Sequence, residues 1–561
     1  MRDKMVRGFL AAGNFDIGCL GQYTDMGCCK QYNRLLDKFP KDQVFLDEKT
    51  QISFLDGYVH NKEAVMGRNV GNWQHSFAQA MRTDARKCLQ TLRGAFCGYV
   101  LNKQTSGLTV YTDQVSVKAV YYYANGDQWI VSNHIPYMIA VLRANKAVYH
   151  FNETAAKYML TYGYMLDDST FVKEIHRLLP GQIAYIGNGQ IETEYYYRIC
   201  DREEKMSEEE AVERIDKAFR EAVRREFDKD REYGYRHLVD LSGGLDSRMV
   251  SWVAHDMGYT DQLNVTYCRS GYLDEKISGR IAGYLGHEYM FKPLDDIGWM
   301  YDVDEIILKN NAAALYTGIT GGQRLLKTLD TAQFGIEHTG MIGDAVLSTF
   351  YHDKEFNYGS PQLGYHRYSE KLSYEFSSDI TEPYACQEMF AVYTRGILGA
   401  QSSYMIRQHY VETASPFMDV DFLNMVFSLP FDYRRQHHIY LKWMALKYPQ
   451  STGFGWEKWG GVKPREDHIF YRKVKTTQRL LRQAVCKACK LHSKDNMNPL
   501  DYWYRESPGI QEYYRDYYCQ NRNRSELGEE LAKDISRMFE EGNVIEKSMA
   551  LTVLGAIKLY F

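Results

Sequence analysis

Proline is scarce in this chain, with 12 among 561 residues, and charged residues stay at an ordinary 25% beside 45% hydrophobic ones, so wholesale disorder is excluded. No stretch approaches the roughly 18 consecutive apolar residues that cross a bilayer, so no transmembrane segment is expected. The opening Met-Arg-Asp-Lys-Met-Val-Arg leads into a short apolar stretch broken by Asn14 and Asp16, which does not read as a secretory signal. Neither sign of charge dominates. The 68 basic and 72 acidic residues leave −4, so a chain-wide footprint for nucleic acid is absent and no nucleic-acid partner is expected. Eleven cysteines are an odd number without a framework, which points to reduced thiols in a cytoplasmic protein. What the chain has in excess is tyrosine, 46 of them. The length suggests two or three domains.

The first 200 residues read as short strands with interspersed helices. Strands are predicted at Gln51–Leu55, Ala95–Leu101, Leu108–Tyr111, Ala119–Tyr123, Gln128–Val131 and Gln182–Tyr185, with turns at Asn125-Gly126-Asp127 and Gly187-Asn188-Gly189. Helices are predicted at Trp73–Leu92 and Thr154–Tyr162. A charge-dense segment, Asp201–Lys205, marks a boundary. Ser207 and Glu210 then have capping-box spacing ahead of Val212, Ile215, Phe219, Val223 and Phe227 at helical period. A strand at Tyr235–Leu241, a tight loop, a helix at Arg248–Met257 and a strand at Leu263–Tyr267 follow. A helix at Asp274–Leu285 and a strand at Tyr289–Phe291 complete the alternation, which predicts a parallel sheet with helices on both faces. Beyond residue 300 the sequence reads as mostly helical. The expected domains are 1–200 and 206–561.

The sharpest chemical signal is Ser242-Gly243-Gly244-Leu245-Asp246-Ser247 between an apolar strand and a helix. Adjacent glycines permit close backbone approach and unusual dihedrals, so successive N–H groups can surround an anion at the positive end of the helix dipole. Ser242 and Ser247 add hydroxyl donors, and Asp246 sits where a carboxylate can hold the Mg²⁺ of a polyphosphate.

This string resembles the pyrophosphate loop of the N-type ATP pyrophosphatases, and the order of further motifs narrows the resemblance to the asparagine synthetase family. Those motifs are Asp274-Glu275 with Leu285-Gly286-His287, and Thr339-Gly340-Met341-Ile342-Gly343-Asp344. Val411-Glu412 with Ser415-Pro416-Phe417-Met418-Asp419, Ser428-Leu429-Pro430 and Trp456-Glu457-Lys458-Trp459-Gly460 follow. In the first domain, Gly57-Tyr58-Val59-His60-Asn61, Leu92-Arg93-Gly94-Ala95-Phe96 and Leu178-Leu179-Pro180-Gly181 resemble family landmarks. The resemblance implies an N-terminal Ntn-hydrolase-like α/β/β/α sandwich followed by a parallel-sheet synthetase domain. It implies ATP and Mg²⁺ as cofactors. Asp246 and Asp344 would be the metal ligands. Leu241, Ser242, Gly243, Gly244, Leu245, Asp246, Ser247, Thr266 and Gly340 would line the nucleotide site, and Lys458 would stabilise charge during adenylation and at the later tetrahedral intermediate.

The departures narrow the function. The family's glutaminase domain opens on a cysteine whose free α-amine serves as base. Here Arg7-Gly8-Phe9-Leu10 matches that stretch, with Arg7 in the cysteine's place and six residues ahead of it. The acid that would grip glutamine's α-amine is not evident around Trp73–Gln79, and Asn61 matches an oxyanion-hole asparagine with nothing left to serve. The first domain therefore reads as a scaffold without glutaminase activity. Met341 stands where asparagine synthetases carry glutamate, and Ala345 replaces the glutamate of a D-E pair. Methionine cannot transfer a proton, so the base would come from elsewhere, with Glu375, Glu382 and Glu412 as candidates; for Glu412 a buried ion pair is the competing reading.

The expected activity is amide-bond formation through an acyl-adenylate, joining a carboxylate-bearing substrate to an amine acceptor that is not glutamine-derived. The first specific expectation is a peptide macrolactam (lasso-type) cyclase, and the second is amidation of a small molecule or sugar acid. A catalytically weak nucleotide-binding interaction protein is the alternative from another class. The basic stretch 472–494 reads as a solvated helix face, or as a site for a partner protein, leader peptide or anionic surface. Cys486 and Cys489 have zinc-like spacing without a second pair. The tyrosines between Tyr502 and Tyr518 either line a groove or simply pack.

Overall fold

In the computed structural model the described residues are 6–66, 72–187, 189–318, 321–351, 361–364, 366–465 and 494–561, with 470, 473, 474, 477, 478, 480 and 481. The basic 472–494 stretch thus falls largely outside them, as do Cys486 and Cys489.

The N-terminal part builds two six-stranded antiparallel sheets. One contains β1 (Gly8–Gly13), β2 (Thr24–Asp25), β3 (Lys30–Arg34), β8 (Tyr121–Asn125), β9 (Gln128–Ser132) and β10 (His176–Arg177), in the order β10-β8-β9-β1-β3-β2. The other contains β4 (Val44–Asp47), β5 (Gln51–Val59), β6 (Gly94–Asn102), β7 (Leu108–Thr112), β11 (Gln182–Gly187) and β12 (Gln190–Tyr195), in the order β12-β11-β7-β6-β5-β4. Between them Phe9, Phe54, Tyr99, Val110, Val131 and Ala184 form a fully buried apolar layer. Helix Trp73–Thr91 covers the outer face of the second sheet through Phe77, Met81 and Leu89, while Ile135–Ala144 and Glu153–Tyr162 pack on the first. Gly57 on β5, opposite Phe96, and Gly94 on β6, opposite Val59, both have positive φ, and a Cβ on Gly57 would meet the Ala95 carbonyl at 2.0 Å. Only glycine fits there.

The second part begins with helix Glu208–Glu232. Ser207 accepts from the Glu210 N–H, but the Glu210 carboxylate pairs with Arg214. One half of the predicted capping box is therefore realised. The predicted stripe is buried: Val212, Ile215, Phe219, Val223 and Phe227 pack into a core with Phe417, Phe422 and Trp443. Each such side chain contributes about 1.5–3 kcal/mol by leaving water.

The strands β13 (Arg236–Asp240), β14 (Gln262–Cys268), β15 (Glu288–Pro293), β16 (Phe334–His338) and β17 (Glu412–Ala414) form an all-parallel sheet in the order β15-β14-β13-β16-β17. The reversal beside β13 puts a crevice at the carboxyl ends of the strands, where α/β sheets bind ligands. Beyond residue 300, read as mostly helical, the described strands are β16 and β17. Tyrosines 514, 517 and 518 lie in a buried core with helix Val544–Tyr560, and Tyr502, Tyr504 and Tyr513 pack against it. The hydroxyls of Tyr513, Tyr514 and Tyr517 find internal partners, as in Tyr517 to Asp304 at 2.5 Å. The tyrosine cluster packs. No described helix is long and apolar enough to cross a membrane.

Candidate functional site

β13 delivers Leu241 and the Ser242–Ser247 loop, and helix Asp246–Asp256 begins within it. Leu241 N–H donates to the Val265 carbonyl at 2.9 Å, which ties the loop's entry to β14. The two serines close the loop on itself, because Ser242 N–H donates to Ser247 Oγ at 2.9 Å and the hydroxyls lie 3.0 Å apart. Gly243 N–H donates to Asp274 Oδ1 at 2.6 Å, and its carbonyl accepts from Glu457 N–H at 3.0 Å. Neither Gly243 nor Gly244 has positive φ. The requirement at Gly243 is space: a Cβ would approach Asp274 Oδ1 and Glu457 Cβ to 3.0 Å each. Burial pushes the Asp274 carboxyl up to about 6.

Asp246 is the electrostatic centre. Its Oδ1 accepts from Tyr440 Oη at 2.9 Å and its Oδ2 from the Asp344 backbone N–H at 3.0 Å. Burial, reinforced by the Asp344 charge, pushes its carboxyl up to about 8. Gly340 and Gly343 allow the loop after β16 to reach it, since a Cβ on Gly340 would meet Ser247 N at 2.3 Å and one on Gly343 would meet Asp246 Cγ at 2.6 Å. Lys458 comes from a short turn, Glu457–Trp459, with Nζ 3.9 Å from Asp344 Oδ2 and 3.5 Å from His437 Nε2.

A cavity of about 320 Å³ opens on the loop, lined by Ser242, Gly244, Asp246, Ser247, Thr266 and Gly340 among others. Thr266 Oγ1 donates to the Leu241 carbonyl and lies 3.0 Å from Ser278 Oγ, so it braces the wall. Leu245 is buried behind the loop in the core beside Met249. A second cavity of about 350 Å³ is lined by Met341, Ile342, Asp344 and Ala345 and, across from them, by Val392, Arg395 and Gly396 of the π-helix Val392–Ala400. Met341 belongs to both walls. Sequence reasoning placed the loop, Asp344, Lys458, Thr266 and Gly340 together, and the structure brings them together. It missed Tyr440, which lies 194 residues from Asp246 with no spacing signal to link them.

The candidate bases lie elsewhere. Glu382 and Glu375 are exposed, and neither lines either cavity. Glu412 is buried on β17, where its Oε1 meets Lys118 Nζ at 2.7 Å, and the same ammonium reaches Asp56 Oδ2 at 3.4 Å. The triad ties the N-terminal sheets to the parallel sheet, which is the ion-pair reading. The glutamate that does line the second cavity, Glu388, is held by both Nη atoms of Arg434 at 2.8 Å.

In the N-terminal part, Arg7 N–H donates to His409 Nδ1 at 2.9 Å. Asn61 is occupied twice: its Oδ1 accepts from Arg93 N–H at 2.7 Å and its Nδ2 donates to the Thr91 carbonyl at 3.0 Å.

Comparison with known proteins follows this geometry. Residues 77–197 match the glutamine amidotransferase domain family, a stretch that begins well after Arg7. A Methanocaldococcus jannaschii protein, "Putative asparagine synthetase (glutamine-hydrolyzing) 2", is 25% identical over 228 residues, covering 38% of this chain and 43% of the relative. The chain thus spans less than half the length of that relative. Among solved structures, an allosteric regulatory enzyme of purine biosynthesis overlaps 42% of this chain and 54% of its own at 10% identity and a TM-score of 0.23. Glutamine phosphoribosylpyrophosphate amidotransferase from B. subtilis overlaps 51% and 59% at 9% identity and a TM-score of 0.23, a likeness too loose to carry functional meaning. The chain thus carries a glutamine amidotransferase-type stretch and is similar, over part of its length, to a putative asparagine synthetase.

Proposed function

We propose that the chain is an ATP-dependent carbon–nitrogen ligase that adenylates a carboxylate, releases pyrophosphate and lets an amine displace AMP. The observation that carries this reading is the Asp246–Asp344 pair beside the Ser242–Ser247 loop. A carboxylate pushed up to about 8 by desolvation and a neighbouring acid is what a divalent cation would relieve, and two oxygen donors suit Mg²⁺. The residues therefore fit Mg²⁺ with ATP. Asp246 and Asp344 would hold the metal, while Ser242, Gly243, Gly244 and Ser247 would receive the pyrophosphate oxygens at the start of the helix. When bound, ATP supplies an electrophilic α-phosphorus with pyrophosphate as leaving group. The Lys458 ammonium, beside Asp344, would offset the negative charge that grows there.

The amine is not glutamine-derived on this reading, because Arg7 stands at the nucleophile's position and Asn61 is committed to Arg93 and Thr91. Of the two specific substrates the sequence suggests, the small acid is favoured over the peptide by the size of the cavity beside Asp344, about 350 Å³. Carboxylate-dependent exchange of labelled pyrophosphate into ATP, with AMP as product, tests the reaction. Formation of ADP and phosphate would overturn it.

A further inference from the structure

The cavity beside Asp344 has a charge pattern of its own. At one end it meets the Asp246–Asp344 pair, and Met341 is common to it and to the nucleotide cavity. Its middle is apolar, with Ile342, Ala345, Phe350 and Val392 on the walls. Its acids leave little for a cation. Glu388 is fully engaged by Arg434, and Asp344 is the only other carboxylate among the described lining residues.

The π-helix contributes a guanidinium. Arg395 Nη1 donates to His366 Nδ1 at 2.9 Å, and its charge lies 5.9 Å from the Tyr368 ring centre. Burial, aided by Arg395, pushes His366 down to about 4, so the imidazole is neutral near pH 7 and does not cancel or match the guanidinium. No carboxylate pairs with Arg395 among the described residues. π-helical turns recur at functional sites because they turn one residue out of the regular ladder.

Building on the adenylation reading, we propose that this cavity selects a dianionic acid: one carboxylate presented at Asp344, an apolar middle, and a second anionic end bound by Arg395. A free α-amino acid is disfavoured, since among the described lining residues its ammonium would find no unengaged carboxylate beyond Asp344, and it would share the cavity with Arg395. Ala345 agrees with the same demand, because a glutamate in the apolar middle would repel the second anion. Arginine suits that end because its planar fork binds a carboxylate through two N–H groups at once.

The test is pyrophosphate exchange by the full chain with Mg²⁺ and ATP, using succinate, glutarate, adipate and pimelate. Butyrate, valerate, hexanoate and heptanoate serve as matched monoacids, and aspartate and glutamate as amino analogues. One diacid should exceed its monoacid by about tenfold or more in kcat/KM, and the amino analogues should fall below succinate and glutarate. Arg395→Met should cost the best diacid about tenfold more than its monoacid. Gly396→Val should raise KM for the acid but leave ATP binding unchanged by calorimetry, because a Cβ there makes ordinary contacts, 3.7 Å to Ile342 Cγ2. Aspartate above succinate, monoacids equal to diacids, or no exchange with any diacid despite ATP binding would each overturn the selectivity. Absence of ATP binding would instead overturn the adenylation reading beneath it.

Discussion

The main-chain N–H of Asp344 donates to the side chain of Asp246 at 3.0 Å, so the loop after β16 is fastened to the loop after β13 by the residue whose charge it crowds. The contact keeps two carboxylates side by side, with Asp344 half-exposed to solvent. Asp246→Asn preserves an acceptor for Asp344 N–H and removes the charge. Pyrophosphate exchange should fall by about a hundredfold or more, with the thermal midpoint of the ligand-free protein unchanged or higher. Asp344→Asn should behave alike. A variant retaining exchange within threefold of the parent would remove that aspartate from the metal site.

The same pair gives a pH dependence with a definite sign. The Asp246 carboxyl is raised from 3.8 to about 8, so its contribution to stability is full below about pH 4 and is lost as pH rises towards 8. A metal bound there, as proposed, would have to displace that proton. Apparent affinity for Mg²⁺ with ATP should therefore strengthen by up to about tenfold per pH unit between 6 and 8, then level off. Calorimetry in buffers of different ionisation enthalpy should detect close to one proton released at pH 6.5. Affinity independent of pH across this range would contradict the assignment.

Much of the site was legible because its chemistry is contiguous. Ser242–Ser247 carries its glycines, hydroxyls and acid in one run, and the flanking apolar strand and helix mark its place in the sheet. The parallel sheet was legible only as far as β15. β16 reads Phe-Gly-Ile-Glu-His, and its Glu337 and His338 are wholly buried, answered by Arg407 at 2.7 Å and by Asp230 at 2.8 Å from distant segments. Compensated polar residues hide the apolar run by which a central strand is recognised. β17 is three residues long, too short to show a period. The fate of Glu412 was equally hidden, because its partner Lys118 lies 294 residues away.

That Lys118–Glu412 contact sets an expectation for the junction of the two parts. Lys118 is 5% exposed, and its ammonium answers Asp56 and Glu412 together. Lys118→Met should strand both acids and cost about 3–5 kcal/mol in denaturant unfolding. Glu412→Gln, which leaves the Lys118–Asp56 pair, should cost less. The double variant should be milder than the sum of the singles by about 0.5–3 kcal/mol, as expected for residues in contact. Strict additivity would mean that the triad is incidental. The proposed adenylation site should stay intact in Glu412→Gln, with exchange per folded molecule close to the parent, since Glu412 lines neither cavity.

The N-terminal part offers a direct test of its proposed silence. Arg7 N–H is spent on His409 Nδ1, and both ends of the Asn61 amide are spent on Arg93 and Thr91, so neither the nucleophile's position nor the oxyanion position is poised for glutamine. Glutamine should release no ammonia beyond the uncatalysed rate, with or without ATP and an acid substrate. Arg7→Cys should not restore the reaction: a thiol at residue 7 would sit behind a peptide N–H, where the reaction needs a free amine as base. Asn61→Ala should lower stability by roughly 1–3 kcal/mol through the loss of both hydrogen bonds, while leaving pyrophosphate exchange unchanged. Ammonia release that depends on Asn61 would show that the amidotransferase-type domain retains its chemistry through a different nucleophile.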